Sequence, residues 1–177
     1  MTPNTLPDAR FHTRVRNPAL DGPNPFEWKT VSTAEVFGGK RVVLFGVPGA
    51  FTPACSDTHL PGYERQMAAF RDLGIDKVIC TSVNDAFVMH RWAVALNVSE
   101  VKMLPDGNGT FARRMGMLVD RSAQGMGLRS WRYSLFAEDG NVRQLFAEPG
   151  IRDNPEGVPV QVSDADTMLG FLRSLPG

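Results

Sequence analysis

A nearly continuous apolar run that is followed at once by a helix start constrains this chain more than any other feature. Residues 41–47 read RVVLFGV, the pattern of a strand buried on both faces of a sheet, and a proline and a glycine end the run. Thr52 is a favoured residue just before a helix, and Pro53 suits the first helical position. The sequence therefore predicts a buried central strand that leads into a helix over about residues 53–73.

The rest of the chain predicts an alternation of strands and helices. Ser32 and Glu35 predict the cap of a short helix, residues 104–109 and 148–159 predict loops, and Ser163 with Asp166 predicts the cap of the last helix. Further strands are predicted at residues 11–16, 26–30, 77–83, 131–137 and 142–147, and further helices at 84–96, just after 109, and at 163–175. This order indicates an α/β fold with a mixed central sheet and helices on both faces. The 177 residues, without repeat or linker, predict a single domain over residues 1–177.

Composition excludes several classes of function. Lys plus Arg equals Asp plus Glu at 19 each, so the net charge of zero gives no support for nucleic-acid or anionic-membrane binding. The most apolar stretch, residues 42–51, is far too short to cross a bilayer. The first residues lack the basic start and apolar stretch of a signal peptide, and two cysteines are too few for a secreted disulfide scaffold. We therefore expect a cytoplasmic protein.

Cys55 is the residue most suited to chemistry. It falls at the third position of the predicted helix, where unpaired backbone N–H groups and the positive end of the helix dipole favour a thiolate. A helix terminus supplies only about 0.3–2 kcal/mol, so a fixed cation is also needed for full ionisation at neutral pH. An alternative is that Cys55 is simply a small buried apolar residue, as most free cysteines are.

Other candidate residues point to weaker hypotheses. Cys80 lies in an apolar strand, where a buried thiol is inert. His59 lies one helical turn after Cys55, which leaves a cysteine–histidine hydrolase conceivable, although we favour a structural role. Residues 106–109 are similar to the start of a calcium loop, but Phe111 and Met117 stand where glycine and glutamate belong. We expect no bound metal and no cofactor.

Several segments together resemble the peroxiredoxins, and within them the peroxiredoxin-five (plant type II) subfamily. The family pattern Pro-x-x-x-Thr-x-x-Cys matches Pro48, Thr52 and Cys55. The further similar segments are PGAFTPACS (48–56) with THLPG (58–62), SVNDAF (82–87), PDGNG (105–109), MGMLV (115–119), SWRYS (130–134) and VSDADTML (162–169). The last four are similar to the peroxidase half of bacterial peroxiredoxin–glutaredoxin hybrids, and the resemblance covers almost the whole chain from about Phe11.

The resemblance implies a fold, a site and a partner set. It implies a thioredoxin fold with an N-terminal extension, and it places Arg132 at the position of the family's active-site arginine. On an alternating strand, Arg132 shares a face with Ser130 and Ser134. The roles implied are attack on a hydroperoxide by Cys55, stabilisation by Arg132, Thr52 and the N–H groups near Ala54, and shielding by Pro48. A homodimer with contacts near Phe51 and Phe87 is also implied.

The expected activity is thus a thiol-dependent peroxidase that converts hydrogen peroxide and alkyl hydroperoxides to water and alcohols. Because no cysteine lies in the C-terminal region, we expect a one-cysteine mechanism with a separate glutathione and glutaredoxin, or else thioredoxin, as the reductant. The alternative is a thioredoxin-fold redox sensor in which oxidation of Cys55 controls the binding of a partner.

Overall fold

A computed structural model describes residues 3–177 of the chain. Its strands are β1 (Arg10–Arg16), β2 (Phe26–Ser32), β3 (Arg41–Gly46), β4 (Lys77–Ser82), β5 (Lys102–Pro105), β6 (Leu118–Asp120), β7 (Leu128–Ser130), β8 (Tyr133–Glu138) and β9 (Asn141–Ala147). Its helices are α1 (Thr33–Phe37), a π-helical turn (Cys55–His59), α2 (Leu60–Arg65), α3 (Met67–Asp72), α4 (Ala86–Ala95), α5 (Thr110–Arg114), a 3₁₀ turn (Ser122–Gln124) and α6 (Ala165–Ser174). None of the described helices is long and apolar enough to cross a membrane.

Five strands form the central sheet in the order β5-β4-β3-β8-β9. Strands β3, β4 and β5 run parallel, whereas β8 and β9 are antiparallel to their neighbours, so the sheet is mixed. The pairs β1–β2 and β6–β7 form two small antiparallel sheets beside it. The predicted α/β class with a mixed sheet is therefore confirmed.

The central strand β3 divides the core into two layers. Val43 and Phe45 pack into one apolar cluster with residues of α2, α3, α4 and α6, whereas Val42 and Leu44 pack into the other with residues of α1 and α5. Alternate residues of a strand point to opposite faces, so a run that is apolar at every position needs a cover on both sides. All four side chains are completely buried.

The predicted helix over residues 53–73 is correct in extent but wrong in being continuous. It opens with the π turn, in which the Leu60 N–H donates to the Cys55 carbonyl, and it breaks at Gln66, whose φ of −109° and ψ of 16° are not helical. Single π turns occur mainly inside α-helices and often at functional sites. No residue pattern in the sequence marks this turn.

Three further predictions need correction. Leu104 and Pro105 belong to the edge strand β5 instead of a loop, a place where a proline is tolerated because the outer side of the strand needs no donor. The last helix is capped by Asp164, whose side chain accepts from the Thr167 N–H, and not by Ser163. The predicted strand 131–137 begins only at Tyr133, because the two residues before it cross from the small β6–β7 sheet to the central sheet.

Candidate active site

The loop between β3 and the π turn is held in place by hydrogen bonds. The Ala50 N–H donates to Asn84 Oδ1 at 2.9 Å, and the Thr52 hydroxyl donates to the Gly49 carbonyl at 2.6 Å. Phe51 has a φ of 63°, a left-handed conformation that is unfavourable for a residue with a bulky side chain. The loop therefore keeps a strained conformation just ahead of Cys55, and Pro48, at its start, is buried.

The Thr52 side chain does not cap the helix, contrary to the interpretation of the sequence. Its single hydroxyl proton goes to the Gly49 carbonyl, and the first helical hydrogen bond runs from the Ser56 N–H to the Thr52 carbonyl at 3.0 Å. Within residues 3–177, the N–H groups of Ala54 and Cys55 have no protein acceptor. Two free donors thus lie next to the sulfur, as expected at a helix start.

Arg132 lies beside this helix start. Its Nη2 atom donates to Cys55 Sγ at 3.3 Å, although 77 residues separate the two in sequence. The sequence placed Arg132 on an alternating strand with Ser130 and Ser134, and that placement is wrong. Arg132 lies in the connection between β7 and β8. The backbone N–H of its neighbour Trp131 donates to the Met117 carbonyl at 2.6 Å.

The guanidinium of Arg132 is fixed by two acceptors that carry no charge. Its Nε donates to the Val158 carbonyl at 2.8 Å, and its Nη1 lies 3.0 Å from Nδ1 of His59. No carboxylate within residues 3–177 forms a salt bridge with it, and the side chain is almost completely buried. No carboxylate in that range therefore neutralises the guanidinium, and Cys55 Sγ is the third group that it contacts.

His59 is neutral, and its tautomer follows from its partners. The Ser163 carbonyl, 2.9 Å from Nε2, can only accept, whereas the guanidinium at Nδ1 can only donate. Nε2 must therefore carry the proton and Nδ1 the lone pair. In agreement, burial, and next the positive charge of Arg132, lower the pKa of His59 from 6.5 to about 3.

Aromatic side chains pack against His59. The rings of Phe45 and Tyr63 stack at 4.1 Å between centroids, and Phe45 lies 4.9 Å from the His59 ring. The Tyr63 hydroxyl donates to the same Ser163 carbonyl, at 2.8 Å. His59 is therefore held by packing as well as by hydrogen bonds, and it cannot act as the exposed base that a hydrolase requires.

Cys80 belongs to the same apolar cluster as Cys55 but has different surroundings. It lies in β4 opposite Phe45, is fully buried, and is free. Burial raises the pKa of the Cys80 thiol well above its ordinary value. No hydrogen-bond donor reaches its sulfur from residues 3–177, so nothing compensates for that burial.

The residues that the sequence singled out do meet in space, although one contact was missed. The sequence placed Cys55 at a helix start and the family resemblance placed Arg132 at its side, and the structure brings the two residues into contact. It also placed His59 near Cys55 but gave no sign that His59 holds Arg132, because the two lie 73 residues apart. Among the described residues, no group of three or more histidine, cysteine or acidic side chains is arranged to hold a metal.

A family model described as Redoxin matches residues 7–169, which is most of the chain. Peroxiredoxin sll1621 of Synechocystis sp. is 53% identical over 173 residues, with 98% of this chain and 92% of that protein covered. Hybrid peroxiredoxin hyPrx5 of Haemophilus influenzae is 42% identical over 94% of this chain, which spans 64% of that longer protein. Among solved structures, the Plasmodium falciparum antioxidant protein (1-Cys peroxiredoxin) has a TM-score of 0.90 at 31% identity, with 97% of this chain and 98% of that chain covered.

Proposed function

Because this chain belongs to the redoxin family and is a peroxiredoxin of the peroxiredoxin-five type, we propose that its peroxidase activity proceeds through a sulfenic acid on Cys55 and is recycled by glutathione with a separate glutaredoxin. The observation that carries the proposed chemistry at Cys55 is the Nη2–Sγ distance of 3.3 Å between Arg132 and Cys55. A hydrogen bond to a charged group contributes about 1.5–3 kcal/mol, whereas a helix end contributes about 0.3–2 kcal/mol. Arg132 and the helix start both stabilise the thiolate in this proposal.

In the first step, the Cys55 thiolate attacks one oxygen of the hydroperoxide. A sulfur–oxygen bond forms as the O–O bond breaks, the sulfur loses two electrons, and the leaving oxygen takes a proton to become water or an alcohol. Negative charge moves from the sulfur to the leaving oxygen during this step. The Arg132 guanidinium and the N–H groups of Ala54 and Cys55 are donors that stabilise it without rearrangement.

Thr52 orients the peroxide. Because its hydroxyl proton is engaged by the Gly49 carbonyl, the oxygen is left as an acceptor and takes a hydrogen bond from the O–H of the hydroperoxide. Buried Pro48 limits the access of water to the sulfenic acid. The hydroxyl thus needs no change of partner when substrate enters, since it is not used as a helix cap.

In the second step, glutathione reduces the sulfenic acid. Its thiol forms a mixed disulfide with Cys55 and releases water, and a second thiol, from glutaredoxin or another glutathione, then restores the Cys55 thiolate. Cys80 is an unsuitable internal partner because burial keeps it protonated and its place in β4 restricts its movement. The similarity to a structure titled 1-Cys peroxiredoxin supports the same scheme. Recycling of this kind needs a reducing compartment, and we propose the cytoplasm.

The decisive experiment measures peroxide consumption by the wild type and by Cys80→Ser with glutathione, with and without glutaredoxin. We expect both proteins to turn over, and mass spectrometry of the oxidised wild type with glutathione to show glutathionylated Cys55. A Cys55–Cys80 disulfide together with an inactive Cys80→Ser variant would show that the one-cysteine scheme is wrong. Failure of both proteins with every thiol tested would favour a redox sensor.

We also propose a homodimer. Phe51 is 56% exposed beside the active-site loop, and Phe87 is 52% exposed, with its ring 5.3 Å from that of the exposed Trp28. Large exposed aromatic side chains favour a contact surface, and a second copy of the chain is the occupant we propose. Sedimentation at micromolar concentration should show a dimer for the wild type and a larger monomer fraction for Phe87→Ser.

A further inference from the structure

Glu148, the residue just after β9, carries a buried carboxylate that no cation accompanies. Glu148 is only 3% exposed, and it forms no salt bridge within residues 3–177. An isolated charge is costly to bury unless hydrogen bonds compensate for the lost water. The Glu148 carboxylate is therefore expected to accept several hydrogen bonds.

All of the carboxylate's partners come from one short segment. The N–H groups of Gln161, Val162 and Ser163 donate to the two oxygens at 2.9–3.2 Å, and the Ser163 hydroxyl donates at 2.6 Å. Three successive N–H groups that point at one anion form a backbone nest. Glu148 thus fixes the conformation of residues 161–163, a stretch without regular secondary structure.

One of the acceptors that aim Arg132 lies in this stretch, and a second lies three residues before it. The Ser163 carbonyl accepts from His59, which in turn accepts from Arg132, and the Val158 carbonyl accepts from the Arg132 Nε. Glu148 also holds the other side of the arginine through its backbone. Its N–H donates to the Arg132 carbonyl at 3.0 Å, and its own carbonyl accepts from the Trp131 indole at 2.7 Å.

We propose that Glu148 is a positioning residue for the peroxidase reaction, because its carboxylate fixes Ser163, whose carbonyl holds His59 and through it directs the Arg132 guanidinium at Cys55. The proposal rests on the proposed function, since it requires that Arg132 stabilises the Cys55 thiolate. Glu148 touches neither the sulfur nor the peroxide. Its effect passes through residues 161–163 and His59.

The test is the pH dependence of Cys55 alkylation, which needs neither peroxide nor reductant. Glu148→Gln keeps the shape of the side chain but replaces one acceptor oxygen by an NH₂ group that cannot accept from the nest. We expect the midpoint of the alkylation profile to shift to higher pH and the oxidation of Cys55 by peroxide to slow by roughly ten- to a hundredfold, the size expected of a misplaced catalytic group. In an Arg132→Met background, the same substitution should have almost no further effect.

The direction of the shift separates positioning from simple charge. If Glu148 acted only as a counter-charge to Arg132, its neutralisation would leave more positive potential at Cys55 and move the midpoint to lower pH. Asp106→Asn is the matched control, because Asp106 is also buried and accepts from the N–H groups of Phe111 and Ala112 without contacting Arg132. It should lower the unfolding free energy but leave the profile in place.

A midpoint for Glu148→Gln that is unchanged or lower would overturn the proposal. If that variant does not fold, Ser163→Ala replaces it, because it removes only the 2.6 Å contact to the carboxylate. Its midpoint should shift in the same direction by a smaller amount, and no shift would contradict the proposal. An unchanged midpoint for Arg132→Met would instead count against the proposed function itself.

Discussion

Cys55 and Cys80 lie in one apolar cluster and are both completely buried, but they differ in secondary structure and in the hydrogen-bond donors that reach the sulfur. Cys80 sits inside a strand whose N–H and C=O groups are engaged in the sheet, and no donor reaches its sulfur from residues 3–177. Cys55 sits at the start of a helix, where the Arg132 guanidinium and two free N–H groups surround it. Burial disfavours the thiolate of Cys80, whose sulfur has no donor among the described residues, whereas Cys55 Sγ accepts a hydrogen bond from Arg132.

Cys55 also differs from Cys80 in lying beside a network of buried polar side chains. His59 and Arg132 contact each other in the interior, one neutral and the other charged, and every hydrogen-bonding atom that joins them has a partner. Such a network costs little as long as each member is satisfied, but the loss of one member leaves the others unpaired. The strongest effects of mutation are therefore expected around Cys55.

The largest difference should appear when each cysteine is replaced in turn. Cys55→Ser should abolish peroxide consumption, because a serine hydroxyl is scarcely ionised at neutral pH, whereas Cys80→Ser should keep most of the wild-type rate. The measurement is peroxide loss under saturating reductant. Rapid consumption by Cys55→Ser, or an inactive but folded Cys80→Ser, would reverse the assignment of the two thiols.

The next largest effect should come from the arginine that distinguishes the two sites. Arg132→Met should slow oxidation of Cys55 by about 10²–10³-fold, as the loss of a fixed donor does in other active sites, and shift the alkylation midpoint to higher pH. Arg41→Met is the matched control, because Arg41 lies at the opposite end of β3 from the Cys55 loop. A normal rate and profile for Arg132→Met would mean that another cation serves Cys55.

A smaller effect is expected from the residue that holds this arginine. In His59→Phe, two of the three Arg132 contacts remain, so we expect oxidation to slow by roughly tenfold. The pH dependence of stability should change as well. Because the pKa of His59 is about 3 in the folded protein and 6.5 otherwise, the unfolded chain binds the extra proton in that window. Stability should therefore fall as pH falls from 6.5 towards 3, by at most about 1.4 kcal/mol per pH unit.

Urea unfolding of the wild type and His59→Phe over this pH range would measure that contribution as the difference between two slopes. The slope for His59→Phe should be shallower. The control is His12→Phe, which replaces an exposed histidine of β1 that lies outside the contacts of Arg132. Equal slopes for all three proteins would show that His59 does not titrate on unfolding as its burial implies.

Local chemistry allowed much of the fold to be predicted. The apolar run over residues 41–47 predicted a strand covered on both sides, and residues 77–83 and 142–147 predicted the strands that became β4 and β9. Errors arose where tertiary contacts decide the outcome. The π turn, the break at Gln66 and the late start of β8 depend on packing against distant elements, which a single residue pattern does not encode.

The amino-acid sequence by itself determined that Cys55 stands at a strand-to-helix junction, because the residues that end the strand and begin the helix are neighbours of the cysteine. Only the tertiary structure decided which groups surround that thiol. Arg132 and His59 come from separate parts of the chain, and hydrogen bonds join Arg132 to residues 73 and 77 positions away. Contacts of that span exist only once the chain has folded, since their strength depends on distance and burial and not on order along the chain.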